Sequence, residues 1–209
     1  MRRTSLMASL LLSALMTLTF TACSNAASPE KGMINQGVAP YALSDEQKYV
    51  LECLNMEDAV QMIGYHAPEE ALSLHVNVYR LEGGEWKSLG GGSLSAASGE
   101  ERESFEGVLA LRLKENYAID FIISPLSGGR SSYKTEEIFL ESDVIASSVG
   151  FLDESQEIQL NEEIPVAVMA YDSKTGMKNF TLQDFFDPSA FEGLDLVQAV
   201  TLMFSDEGE

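Results

Sequence analysis

The sequence predicts an all-β protein: an antiparallel β-sandwich, Ig-like or jelly-roll-like, of about nine short strands behind one short amino-terminal helix. Three observations lead there. After residue 57 apolar residues alternate with polar ones at period two, the spacing of half-buried strands. Short turns rich in Gly, Asn, Asp and Ser separate these runs. Only one segment carries apolar residues at helical spacing. With 209 residues, 45% of them hydrophobic, the chain can bury one real core.

At the amino terminus, Arg2 and Arg3 precede an apolar run over residues 6–20 and then Thr21, Ala22 and Cys23. This succession is that of a bacterial lipoprotein signal, with Cys23 as the acylated residue. The run is shorter than the roughly 20 residues a membrane span needs. Phe20 departs from the Leu usual at its position, so a secretory signal cut near Ala22 or Ala27 is the alternative. Residues 1–22 are thus expected to be removed, 23–41 to form a flexible tether, and 42–209 to form a single domain. The expected location is extracytoplasmic, lipid-anchored to the outer face of the membrane.

Ser44 can cap a helix and Gln47 follows three residues later, while Leu43, Val50, Leu51 and Leu54 share one stripe, which predicts a helix over 45–54. Acylation of Cys23 leaves Cys53 as the only thiol, so no internal disulfide can form. Placed at the helix end, Cys53 is expected to be a small buried apolar residue.

Strands are predicted over 59–65, 72–81, 85–89, 105–113, 117–123, 136–141, 145–152, 164–171, 178–182 and 196–204. In the second, Leu72, Leu74, Val76 and Val78 point one way and Ser73, His75, Asn77 and Tyr79 the other. Gly83 and Gly84 supply a two-residue hairpin turn. Residues 183–193 read as a long loop whose Phe185, Phe186 and Phe191 fold it back onto the sandwich.

There are 13 Lys and Arg against 33 Asp and Glu, giving a net charge of −20 and a pI near 4.3. Such a surface repels polyanions, which excludes nucleic acid and leaves the lipid anchor as the only expected membrane contact. Mutual repulsion is also expected to raise carboxylate pKa values in the folded state, so that mild acidification stabilises.

Two stretches, residues 46–51 and 76–92, together with the signal segment, resemble uncharacterised lipid-anchored surface proteins of Gram-positive anaerobes. The second contains the strand ending Tyr79, Arg80, Leu81, the Gly83–Gly84 turn, the return strand with Trp86, and Gly90, Gly91 and Gly92. The resemblance implies a surface lipoprotein and carries over no catalytic or binding residue.

Catalytic signatures are sparse. Ser131 to Lys134, Ser142 with Asp143, and Lys174 to Gly176 echo the S-x-x-K, S-D-N and K-T-G elements of penicillin-recognising serine enzymes, but Val144 stands where Asn is needed and the first element runs into a strand rather than a helix. No G-x-S-x-G elbow is present. His66 and His75 lack the convergent third and fourth ligands that zinc wants. Calcium is the one cofactor candidate, on loop carboxylates Asp153, Glu154 and Glu157, or Asp184 and Asp187; a solvated acidic surface explains the same residues without an ion.

The hairpin offers the best binding face. With Gly83 and Gly84 in the turn, Leu81 pairs with Trp86 and Tyr79 with Ser88, so His75, Asn77, Tyr79 and Trp86 share one side. An aromatic ring among amide, imidazole and hydroxyl groups suits a shallow sugar or peptide site; the alternative is that a loop covers Trp86 and makes the face a minor core. The expected function is a non-enzymatic surface module binding an extracellular carbohydrate or protein. The alternatives are a cell-envelope hydrolase or penicillin-recognising serine enzyme, and a purely structural envelope protein.

Overall fold

A computed structural model describes residues 36–57, 59–95 and 105–208. The signal segment, Cys23 and residues 24–35 of the expected tether lie outside the described residues. Among the described residues ten strands form: β1 (Gly37–Pro40), β2 (Gln61–His66), β3 (Ser73–Glu82), β4 (Glu85–Ser95), β5 (Glu106–Leu113), β6 (Ile119–Pro125), β7 (Ser131–Lys134), β8 (Ala146–Phe151), β9 (Glu163–Asp172) and β10 (Leu196–Ser205). They make two five-stranded antiparallel sheets, β1-β2-β5-β6-β7 and β4-β3-β10-β9-β8. The predicted all-β sandwich is the observed architecture.

The core lies between the sheets. From one, Leu74, Val76 and Val78 of β3 pair with Phe204, Leu202 and Val200 of β10, all fully buried. From the other come Ile63, Tyr65, Leu109, Leu111, Phe121 and Ile123. Contact between the sheets is direct, with the Tyr65 and Phe204 rings 5.8 Å apart and the Gln198 amide donating to the Tyr117 carbonyl at 3.1 Å.

One seam of the sandwich is closed by β4 and β7, and it explains the glycine run. Gly90 has φ +118°, outside the range side chains tolerate, and a Cβ there would sit 2.1 Å from the Tyr133 hydroxyl. That hydroxyl donates to the Leu89 carbonyl, joining the edges of the two sheets. A Cβ on Gly92 would press on the Phe121 ring at 3.2 Å. Gly90 and Gly92 therefore let the edges meet, while a Cβ on Gly91 would run into the Val76 carbonyl of β3, and β4 extends well past the predicted 85–89.

Several expectations are corrected. Gly37–Pro40, assigned to the tether, is an edge strand: it pairs with β2, and Val38 exchanges backbone hydrogen bonds with Gln156. Residues 136–141 and 178–182 are not strands, and the strand of that region is β7. Phe139 is 76% exposed, so the apolar pattern around it meets no core. The α-helix α1 (Asp45–Cys53) forms where expected, with Ser44 and Gln47 in a reciprocal capping box. It buries no residue, however: Val50 and Leu54 are more than half exposed, and Cys53 is an exposed thiol rather than a buried one. The local cap builds the helix, and the sandwich closes without its apolar stripe.

Candidate functional site

Strands β9 and β10 are buried almost end to end, which means both of their faces are covered. The inner face meets the other sheet. Residues 180–191, which carry two short 3-10 turns, Leu182–Phe186 and Pro188–Phe191, lie against the outer face. Phe180, Leu182, Phe185 and Phe191 are buried beneath this strap, while Phe186 points to solvent at 60% exposure. On the sheet side, Val168 of β9 pairs with Ala199 of β10, which pairs with Tyr79 of β3. The strap is pinned at its start by the Phe180 backbone N–H, which donates to the Ser148 hydroxyl at 3.0 Å. Thr181 and Asp184 form a capping box in which the Asp184 carboxylate accepts from the Thr181 N–H and hydroxyl, and Asp187 accepts from the Ser189 hydroxyl. Of the carboxylates considered for calcium, these two are thus engaged in local turns, while Asp153, Glu154 and Glu157 are exposed. Among the described residues no group of three or more His, Cys, Asp or Glu side chains converges on a point that could hold a metal ion.

The hairpin register is the expected one: Leu81 opposes Trp86 and Tyr79 opposes Ser88, with a bulge between Val78 and Tyr79. The structure thereby brings His75, Asn77, Tyr79 and Trp86 to one face, the outer one. Each is engaged within the protein. The Trp86 indole N–H donates to the Phe185 carbonyl at 2.9 Å, and its ring stacks on Phe185 at 5.1 Å and meets Phe191 edge-on at 5.9 Å. Tyr79 donates to Glu163 Oε1 at 2.7 Å, and the Asn77 amide donates to the same oxygen at 3.1 Å. Burial, followed by this bond and the charge of Glu163, raises the Tyr79 pKa above its ordinary value. His75 and Ser73 lie 3.0 Å apart, Nε2 to Oγ. Trp86 therefore fastens the strap rather than forming an open platform.

An open cleft lies next to it. A hollow of about 430 Å3 separates the β3–β4 tip from the segment leaving the strap, and its walls include Leu81, Gly84, Phe191, Glu192, Asp195 and Val197. Gly83 and Gly84 have φ +62° and +84°, which holds the hairpin tip in a turn only glycine enters freely, and no atom lies within 4 Å of a Cβ placed on either. Asp195 accepts from the Ser173 N–H at 2.6 Å; hydrogen bonds from Ser173, and more weakly the nearby Lys174 charge, hold its carboxyl below the usual range, so it is an anionic acceptor at neutral pH. Phe191 joins the two regions, because it lines the cleft and touches Trp86.

Sequence reasoning missed Glu163, Glu192 and Asp195. Glu163 carried a signal, being the one carboxylate that opens an otherwise apolar strand. Glu192 and Asp195 carried none, since their convergence depends on how the strap lies.

The echo of a penicillin-recognising site is not assembled. Ser131 and Lys134 lie on an extended strand, where positions three apart face opposite sides; Ser131 faces Gly92 across the seam. The Lys174 ammonium reaches the Gly193 carbonyl at 3.4 Å.

At three exposed carboxylates the shift runs opposite to the expectation from net charge. Glu46 is lowered by its own backbone N–H and by Ser44, Glu85 by the Lys87 ammonium, and Asp195 as described. At these exposed positions a specific donor outweighs diffuse repulsion, which solvent and salt screen. Among the described residues, no helix is long and apolar enough to cross a membrane. No protein-family model, curated protein or solved structure matches the chain.

Proposed function

We propose that this chain is a non-enzymatic, lipid-anchored surface module that binds an extracellular carbohydrate in the cleft between the β3–β4 tip and residues 188–197. The observation that carries the reading is the composition of that cleft: half-buried apolar walls from Leu81 and Leu194, with Phe191 and Val197 buried beneath them, beside the exposed carboxylates of Glu192 and Asp195. Sugar rings offer apolar C–H faces and hydroxyl donors, and a hollow that pairs apolar wall with ionised acceptor is matched to both. The membrane tether rests on the succession from Arg2 to Cys23.

A glycan array probed with the mature protein tests the binding reading. A ligand seated in the cleft, above the buried Phe191 that touches Trp86, should shift the fluorescence of the single tryptophan, and Glu192→Gln should weaken binding about tenfold, the effect of losing one charge-assisted hydrogen bond. Absence of any glycan binding, or unchanged affinity in that variant, overturns it. Stoichiometric labelling of one serine by a broad serine-reactive probe would favour the hydrolase reading instead. The anchor has its own test: wild type should partition into detergent, and Cys23→Ala should release the protein or leave the precursor uncleaved.

A further inference from the structure

The outer face of the first sheet holds a basic depression in this strongly acidic chain. Phe121 and Ile123 of β6 are buried inward, so Asp120 and Ile122 face outward. Arg112, Asp120 and Lys134 stand side by side on β5, β6 and β7, one cross-strand row, and Ile122 opposes Ser132 in the next. Arg130 closes the end, just before β7. These side chains line a hollow of about 270 Å3, which gathers three of the chain's 13 Lys and Arg residues around a single carboxylate.

That carboxylate is already satisfied. The Arg112 guanidinium grips Asp120 with two parallel hydrogen bonds of 2.7 Å, and the same bonds raise the arginine's pKa. Arg130 and Lys134, both exposed, are left as net positive charge beside the Ser132 hydroxyl. The overall charge of −20 does not cancel this, because exposed charges more than about 8 Å away are largely screened at physiological ionic strength.

We propose that this depression binds a phosphate group, as a monoester or diester, with Arg130 and Lys134 as the charged donors and Ser132 as the neutral one. Arg112 acts by positioning: it neutralises Asp120, whose free carboxylate would repel the ligand. The site is separate from the carbohydrate cleft and does not depend on it. Two sources present the same chemistry, a soluble phosphate ester and a phospholipid headgroup.

Isotope-labelled mature protein titrated with inorganic phosphate and with glycerol phosphate, followed by NMR, tests the site. Amide signals of residues 130–134 should shift saturably, and sodium chloride of equal ionic strength should not reproduce the shift. The double variant Arg130→Gln with Lys134→Gln should lose at least about tenfold in affinity while keeping a folded spectrum, because both side chains are exposed. Co-sedimentation of the unlipidated protein with phosphatidylglycerol vesicles, and not with phosphatidylcholine ones, would identify the headgroup as the source; binding to soluble esters alone would identify the other. Absence of saturable shifts, or wild-type affinity in the double variant, overturns the proposal.

Discussion

Replacing Trp86 with alanine should destabilise the domain by about 3 kcal/mol, the sum of three contacts. The ring stacks on Phe185 and meets Phe191, and such aromatic pairs are worth about 1 kcal/mol each beyond area burial. Its N–H satisfies the Phe185 carbonyl, a bond worth about 1 kcal/mol. Trp86 is half-buried, so the lower end of the range of about 3 to 5 kcal/mol for truncating a large aromatic applies. For a domain of this length that is a drop in Tm of roughly 6 to 12 °C. Guanidinium denaturation followed by circular dichroism is the suitable assay, since the variant has no tryptophan to report. Trp86→Phe should keep most of the ring contacts, lose the hydrogen bond and fall by only about 1 to 2 kcal/mol. Phe185→Ala should couple to Trp86→Ala, the double variant losing less than the separate losses predict. A Trp86→Ala protein within about 0.5 kcal/mol of wild type would refute the assignment of Trp86 as the fastening of the strap.

Three further outcomes are expected. Gly90→Ala should cost at least about 2 kcal/mol, because it combines a strained positive φ with a Cβ driven into the Tyr133 hydroxyl, and adding Tyr133→Phe should recover little since the backbone strain remains; equilibrium denaturation of both variants decides it. Cys53 should react with a thiol reagent in the native protein as fast as in the unfolded one, and Cys53→Ser should change stability by no more than about 0.5 kcal/mol. The pH dependence has two arms. Glu46, Glu85 and Asp195 have lowered folded pKa values, so the stability they add is present above the ordinary carboxylate range and is lost as pH falls through it; acidification should not stabilise through these groups. Tyr65, Tyr79 and Tyr171 are raised mainly by burial, Tyr171 to about 12, so their contribution is complete below the unfolded value near 10 and disappears as pH climbs through the folded values. Thermal scans combined with tyrosinate absorbance check both arms.

What the chain order alone determines is what depends on neighbouring residues. Period-two alternation makes β3, β5 and β6 legible, because successive side chains of a strand must point to opposite faces wherever the chain goes, while β9 and β10 are legible as short continuous apolar runs. Gly83 and Gly84 fix the hairpin register, and Ser44 with Gln47 fixes the start of α1, for the same local reason. Tertiary structure decided everything that requires a partner from elsewhere. β1 and β7 are four-residue edge strands with too little pattern to announce themselves, and they exist because β2 and β6 offer unpaired backbone. The run at 136–141 has the pattern but finds no sheet, and Phe180, read as a strand residue, anchors the strap instead. Trp86 illustrates the division most clearly: its face follows from counting residues around a turn, whereas its covering by Phe185 and Phe191, a hundred residues away, is set by how residues 180–191 fold across the sheet. The same holds for the carboxylates of the cleft and for Arg112, Arg130 and Lys134, whose meeting is a property of strand order, and strand order is not written in the spacing of any one strand.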